Sequence, residues 1–209
     1  MSLFSKIKRA VNKFHRKSIN QELKNRLTNH NMSVISANCV GALMLHDLDE
    51  PFNSPFVNLY MKPRDFIRYL QNMAHYDQQT LVFEPTNKPY PVGKLGDILI
   101  HFMHYDSARD AQEKWETRLK RVNLDNLFII MTDRDEPAGV PYEDLVDFDN
   151  LPFKNKVVFT NKPYPELASA FYIKGFEQET QVGDLFAFSG WNGAKYYDQF
   201  DYVGWFNQP

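Results

Sequence analysis

The chain has a single cysteine, Cys39, in 209 residues. No disulfide can form within it, which excludes a disulfide-stapled scaffold. No apolar run approaches the roughly 18 residues that a membrane-spanning helix needs. The N-terminal stretch lacks the apolar core of a secretory signal, so the expectation is a cytoplasmic protein. The nine glycines form no visible phosphate-binding loop. Acids are scarce at the N-terminus: residues 1–30 hold eight Lys/Arg and one carboxylate, Glu22, for a charge of +7, against −9 for the remainder and −2 in total. An acidic body is not a nucleic-acid binder, which would carry a basic face on its folded domain.

What is present fits a soluble α/β domain. Hydrophobic residues make up 43% and charged residues 24%, ordinary for a globular chain, and aromatics reach 15%, so large rings must fill much of the core. The spacing of Phe4, Ile7, Val11 and Phe14 predicts an amphipathic helix, with Lys6, Lys8, Arg9, Lys13, Arg16 and Lys17 on its other faces. Ser18 and Gln21 read as a capping box that opens a second short helix. Such a basic arm, residues 1–30, either packs on its own domain or touches an anionic membrane surface through residues 1–17.

From residue 31 strand and helix signals alternate. Strands are expected at 32–36, 56–61, 80–83, 97–103, 126–131, 156–159 and 169–176, the stretch 97–103 as a buried central strand. Helices are expected from Pro63, over 107–122 with Ser107 as cap, over 142–148 and in the aromatic C-terminus 195–206. No linker divides residues 31–209. The fold class is therefore α/β: one domain with a largely parallel or mixed central sheet, helices on both faces, and the N-terminal basic helical arm.

The hexapeptide TNKPYP occurs twice, at 86–91 and 160–165, each time after a predicted strand. The flanks differ, "VGKLGDILI" after the first and "ELASAFYIK" after the second, so no domain is duplicated. Prolines around the tyrosine exclude helix and stiffen each loop. If the preceding strands run parallel, both loops emerge at one sheet edge. Lys88 and Lys162 would then face a phosphate or carboxylate, with Tyr90 and Tyr164 stacking on a sugar.

Four longer stretches carry a resemblance: "ISANCVGALMLHDLDEPFNSPFVNLYM" (35–61), "YPVGKLGDILIHFMHY" (90–105), "EKWETRLKRVNLDNLFIIMTDRD" (113–135) and "VVFTNKPYP" with "YIKG" (157–175). Together they resemble a bacterial family of unknown molecular function whose members are known as exopolysaccharide or capsular polysaccharide biosynthesis proteins. The chain departs from the expected pattern at Val40, where a tryptophan would follow the cysteine. The resemblance implies a role in making or decorating surface polysaccharide. It supplies no catalytic residues, so the chemistry must come from the side chains themselves.

Three constellations supply candidates. In "SANCVGALMLHD", Asn38 and Cys39 follow a strand where α/β sheets place their sites, and His46 lies two helical turns beyond Cys39 as a base for a thiol nucleophile. In "LGDILIHFMHYD", His101 is a polar residue within an apolar strand, costly unless paired. In "LFIIMTDRDE", Asp133 and Asp135 form an Asp-x-Asp that could hold a divalent cation against a nucleotide diphosphate. The leading expectation is a transferase of sugar or acyl substituents, with His101, Asp133, Asp135, Cys39 and His46 as catalytic candidates. Asn38, Lys88, Tyr90, Lys162 and Tyr164 are the binding candidates, for a nucleotide-sugar, an acyl donor or a glycan intermediate. Two alternatives stand beside it: a non-catalytic module binding glycan, lipid intermediate or partner, and a Cys39-dependent acyltransferase or hydrolase.

Overall fold

The computed structural model describes residues 3–135 and 137–208. The chain opens with helix α1 (Leu3–Arg26), then β1 (Ser33–Ser36) and α2 (Val40–Leu48). Next come β2 (Tyr60–Met61), α3 (Pro63–Gln71), α4 (Met73–Tyr76), and strands β3 (Leu81–Glu84), β4 (Val92–Leu95) and β5 (Ile98–His101). Helix α5 (Ala108–Leu119), β6 (Leu127–Thr132), α6 (Tyr142–Asp149), β7 (Asn155–Thr160), β8 (Ala170–Tyr172) and α7 (Tyr202–Phe206) complete it.

The strands divide into two sheets. One is wholly parallel, in the order β1-β6-β7-β8; the other is antiparallel, in the order β2-β5-β4-β3. The parallel sheet is buried on both faces, as parallel sheets are. Phe128, Ile130, Val157 and Phe159 point into a core closed by α2, α7, Leu23 near the C-terminal end of α1 and Leu27 just past it. Ile129, Met131 and Val158 point into a second core with α3, α5, α6 and the antiparallel sheet. Each fully buried Phe in these layers contributes about 2 kcal/mol of hydrophobic stabilisation. The class expected from the sequence, α/β with helices on both faces of a parallel sheet and an N-terminal helix, is the one observed.

The local differences have local causes. α1 runs unbroken through Ser18, so no capping box divides the arm. The expected strand at 56–61 shrinks to Tyr60–Met61, because Asn58 adopts a left-handed backbone with φ 60°. The expected buried strand at 97–103 is β5 alone, with Ile98 and Ile100 buried, Leu99 exposed and His101 half-buried. That alternation belongs to an antiparallel sheet with one face on the core. Helix α3 starts on Pro63 and α5 on its Ser107 cap, which accepts from the Asp110 amide at 3.1 Å. At Gly41, α2 comes so close to β1 that a Cβ would lie 2.8 Å from the Ser36 Cβ. This contact fixes the N-terminal end of α2 against β1.

Candidate functional site

A cavity of about 510 Å3 opens where the two sheets meet. The carboxyl ends of β1 and β6 supply Asn38 and Cys39 on one side, Thr132, Arg134 and Asp135 on the other. This is the edge at which α/β sheets bind their ligands. The antiparallel sheet supplies the opposite wall: Tyr60 and Lys62 beside β2, His101 at the end of β5, and Lys88 and Tyr90 from the β3–β4 connection. A segment from Gly183 to Phe186 completes the lining.

His101 is the central group. Its ring lies 5.9 Å from that of Tyr60 and 6.0 Å from that of Tyr90. Its Nδ1 is buried and has no hydrogen-bond partner among the described residues. Burial, then the charges of Lys88 and Lys62, lower its pKa below the ordinary histidine value, so the imidazole is neutral at neutral pH. A neutral imidazole with a spare ring nitrogen can accept a proton. His104 lines the same cavity, because the chain leaves the sheet after His101 and no longer alternates sides.

At the β1 end, Asn38 donates to the Thr132 hydroxyl at 2.9 Å and accepts from the Val40 amide at 3.1 Å, tying the two parallel strands to the first turn of α2. Cys39 occupies the N-cap position. Burial raises its thiol pKa, and its Sγ lies 4.0 Å from the Leu59 carbonyl, so it is held as a thiol rather than a thiolate. At the β6 end, Arg134 pairs with Asp184 at 2.9 Å, and the Asp135 amide donates to the Gln181 side chain at 2.9 Å.

Of the residues singled out from sequence, Asn38, Cys39, Lys88, Tyr90, His101 and Asp135 line this cavity. Four do not. His46 shares the side of α2 that Cys39 starts, but seven residues carry it about 10 Å along the helix axis. It is exposed near the other end, so no Cys39–His46 dyad is assembled. Asp133 is buried behind the lining. Its carboxylate accepts the Asn161 amide at 2.7 Å and the Val182 amide at 2.8 Å, so both oxygens already hold backbone. Among the described residues no group of three His, Cys, Asp or Glu is placed to hold a metal ion. The Asp-x-Asp therefore does not form a two-carboxylate cation site: Asp133 faces inward, Asp135 outward.

Lys162 and Tyr164 also lie elsewhere. The first TNKPYP is the connection of the antiparallel β3–β4 hairpin, whereas the second leaves parallel strand β7 in the other sheet. Tyr164 stacks on Tyr142 of α6 at 5.8 Å, with the Lys162 ammonium 5.6 Å from the Tyr164 ring. The common-edge expectation fails because the two preceding strands belong to different sheets.

Sequence reasoning missed Tyr60, Lys62, Asp184 and the 183–186 segment. Lys62 did carry a signal: it directly precedes the proline that opens α3, a position held extended at a strand end. Nothing in the pattern around Gly183–Phe186 marks it as cavity lining.

The family model described as "Domain of unknown function (DUF1919)" matches residues 10–207. A protein of Haemophilus influenzae carrying the name "Uncharacterized protein" is 65% identical over 207 residues, covering 99% of this chain and 99% of its own length.

Proposed function

Since the chain belongs to the DUF1919 family, whose description names no reaction, we propose from the cavity that the protein is a transferase acting on a nucleotide-sugar in surface-polysaccharide assembly. The observation that carries this reading is the convergence of Lys62 and Lys88 on His101 in a cavity of about 510 Å3. That volume lies within the range of about 300–1,000 Å3 typical of small-molecule sites. Two ammonium groups suit a diphosphate, and the amide end of α2 adds to the same field. Tyr60 and Tyr90 offer ring faces for a sugar or base.

His101 is the group for proton removal. In the proposed step an acceptor hydroxyl gives its proton to the imidazole as its oxygen forms a bond to the anomeric carbon. The bond from that carbon to the diphosphate breaks, and the departing oxygen keeps the electron pair beside Lys62 and Lys88. The polysaccharide setting rests on the resemblance in residues 35–61, 90–105, 113–135 and 157–175.

Calorimetry with UDP-glucose and other nucleotide-sugars tests the reading. Binding is expected, with Lys62→Ala and Lys88→Ala each weakening it by about tenfold or more. His101→Ala should bind but not turn over. Failure of UDP and every nucleotide-sugar to bind would sink the proposal. Binding with no turnover under any acceptor would make the cavity a precursor-binding module instead.

A further inference from the structure

Helix α1 is docked with its polar side inward. Asn12 and Arg16 are 1% and 6% exposed, whereas Phe4, Ile7 and Phe14 are 66%, 50% and 73% exposed. Asn12 donates to the Gly190 carbonyl and accepts from the Gly193 amide, both at 2.9 Å. Arg16 pairs with Asp47 at 2.6 Å and also with Asp198. The usual arrangement, an apolar stripe on the core and charges in water, is inverted over this half of the helix.

The uncovered apolar stripe is extended by Trp191, whose ring meets Phe4 edge-on at 5.2 Å and remains 43% exposed. The Lys8 ammonium lies 5.8 Å from the same indole. Lys6, Arg9, Lys13 and Lys17 are exposed around the stripe, and none has a carboxylate partner among the described residues. No acid precedes Glu22. Lys24 and Arg26, nearer the body, are by contrast paired with Asp49 and Asp201.

We infer that α1 and Trp191 form a peripheral membrane-binding element that lies on an anionic bilayer. Charge decides the occupant. The stripe needs an apolar phase, and its unpaired cations need a negative surface beside it; an anionic lipid leaflet supplies both in one plane. A second copy docked stripe to stripe would set the same cations against one another. The segment that supplies Gly183–Phe186 to the cavity continues to Gly190–Gly193, where it holds α1 through Asn12. This inference stands independently of the reaction proposed for the cavity.

The test uses the full chain with vesicles of phosphatidylcholine, with and without phosphatidylserine. Sedimentation with the phosphatidylserine vesicles is expected, together with a blue shift of tryptophan emission that Trp191→Phe removes. Lys13→Glu with Lys17→Glu should lower partitioning by at least about 30-fold, and Phe4→Ser with Phe14→Ser by at least about tenfold. These side chains lie outside the buried docking contacts, so unchanged circular dichroism and thermal unfolding will confirm that the variants fold. No binding to phosphatidylserine vesicles, or equal binding by wild type and both variants, overturns the inference. A concentration-dependent dimer abolished by Phe14→Ser, without vesicle binding, overturns it in favour of self-association.

Discussion

Asp133 sits one residue behind the cavity wall and holds two separate chain segments to the end of β6. Replacing it with alanine leaves the Asn161 and Val182 amides without an acceptor, at a cost of about 2–4 kcal/mol. Urea denaturation will show this as a lower midpoint with an unchanged slope. Burial pushes its carboxyl pKa up to about 6 from 3.8, against the opposing effect of those same amides. The native state therefore prefers the protonated form. Its contribution to stability is fully present below about pH 4 and is lost as pH rises through about 6. Asp133→Asn abolishes that dependence, so the variant gains on wild type by on the order of 2 kcal/mol between about pH 4 and pH 7, measured by urea midpoints.

His101 makes the opposite residue-scale prediction. Burial and the neighbouring lysines hold its pKa below 6.5. Lys88→Ala removes one of those charges, so the imidazole titration followed by NMR should move up. An unchanged or lower midpoint would mean that Lys88 does not act on the ring. His101 was legible in the sequence because a histidine in an apolar strand is conspicuous. Asp133 was legible as a residue of interest but not in its role. Whether a carboxylate at a strand end faces ligand or backbone depends on the loops that return to it, here from 28 and 49 residues away.

Among the elements, α1 depends on Asp47. This carboxylate receives Arg16 and Lys195 at 2.6 Å each, Asn20 at 3.2 Å, and the Tyr197 hydroxyl. Burial alone would raise its pKa, but the Lys195 and Tyr197 hydrogen bonds with the Arg16 and Lys195 charges bring it below 3.8. A lowered carboxylate stabilises the fold above the unfolded value and ceases to do so as pH falls through the folded one. Undocking of α1 is therefore expected in acid, below about pH 4. Asp47→Ala should produce it at neutral pH, because Arg16 and Lys195 lose a buried counter-charge worth about 3 kcal/mol. Hydrogen exchange checks both: α1 amides should exchange about a hundredfold faster while β6 amides hold their protection.

The helices of the chain were largely legible, since periodicity, Pro63 at a first turn and Ser107 at a cap are local signals. So was the arm's amphipathic period. Its orientation was not, because the helix is held by a buried ion cluster whose partners, Asp47, Lys195 and Asp198, lie far along the chain.

At the scale of the molecule, strand content and class could be read, but sheet membership could not. Strands β3 and β7 both run into the same hexapeptide and look alike locally. Which strand each will join is decided by partners far away, and no residue within TNKPYP encodes it. For the same reason residues of both walls could be singled out but not the fact that they face one another: the two walls belong to different sheets. Lys62 and Tyr60 acquire meaning only when β2 pairs with β5, Tyr60 opposite His101.

The pairing of β1 with β6 has a kinetic consequence. Ser36 lies opposite Ile130, so this ladder closes a loop of 94 residues, and the whole antiparallel sheet lies within it. Closing so long a loop is slow beside forming the β3–β4 and β4–β5 hairpins. During refolding, β3, β4 and β5 amides should gain protection before those of β1, as pulse-labelled exchange would reveal; the reverse order would refute this. A chain emerging from the ribosome must extend past Thr132 before β1 has a partner at all. The cavity takes one wall from each sheet, so it cannot be complete before this long closure is made.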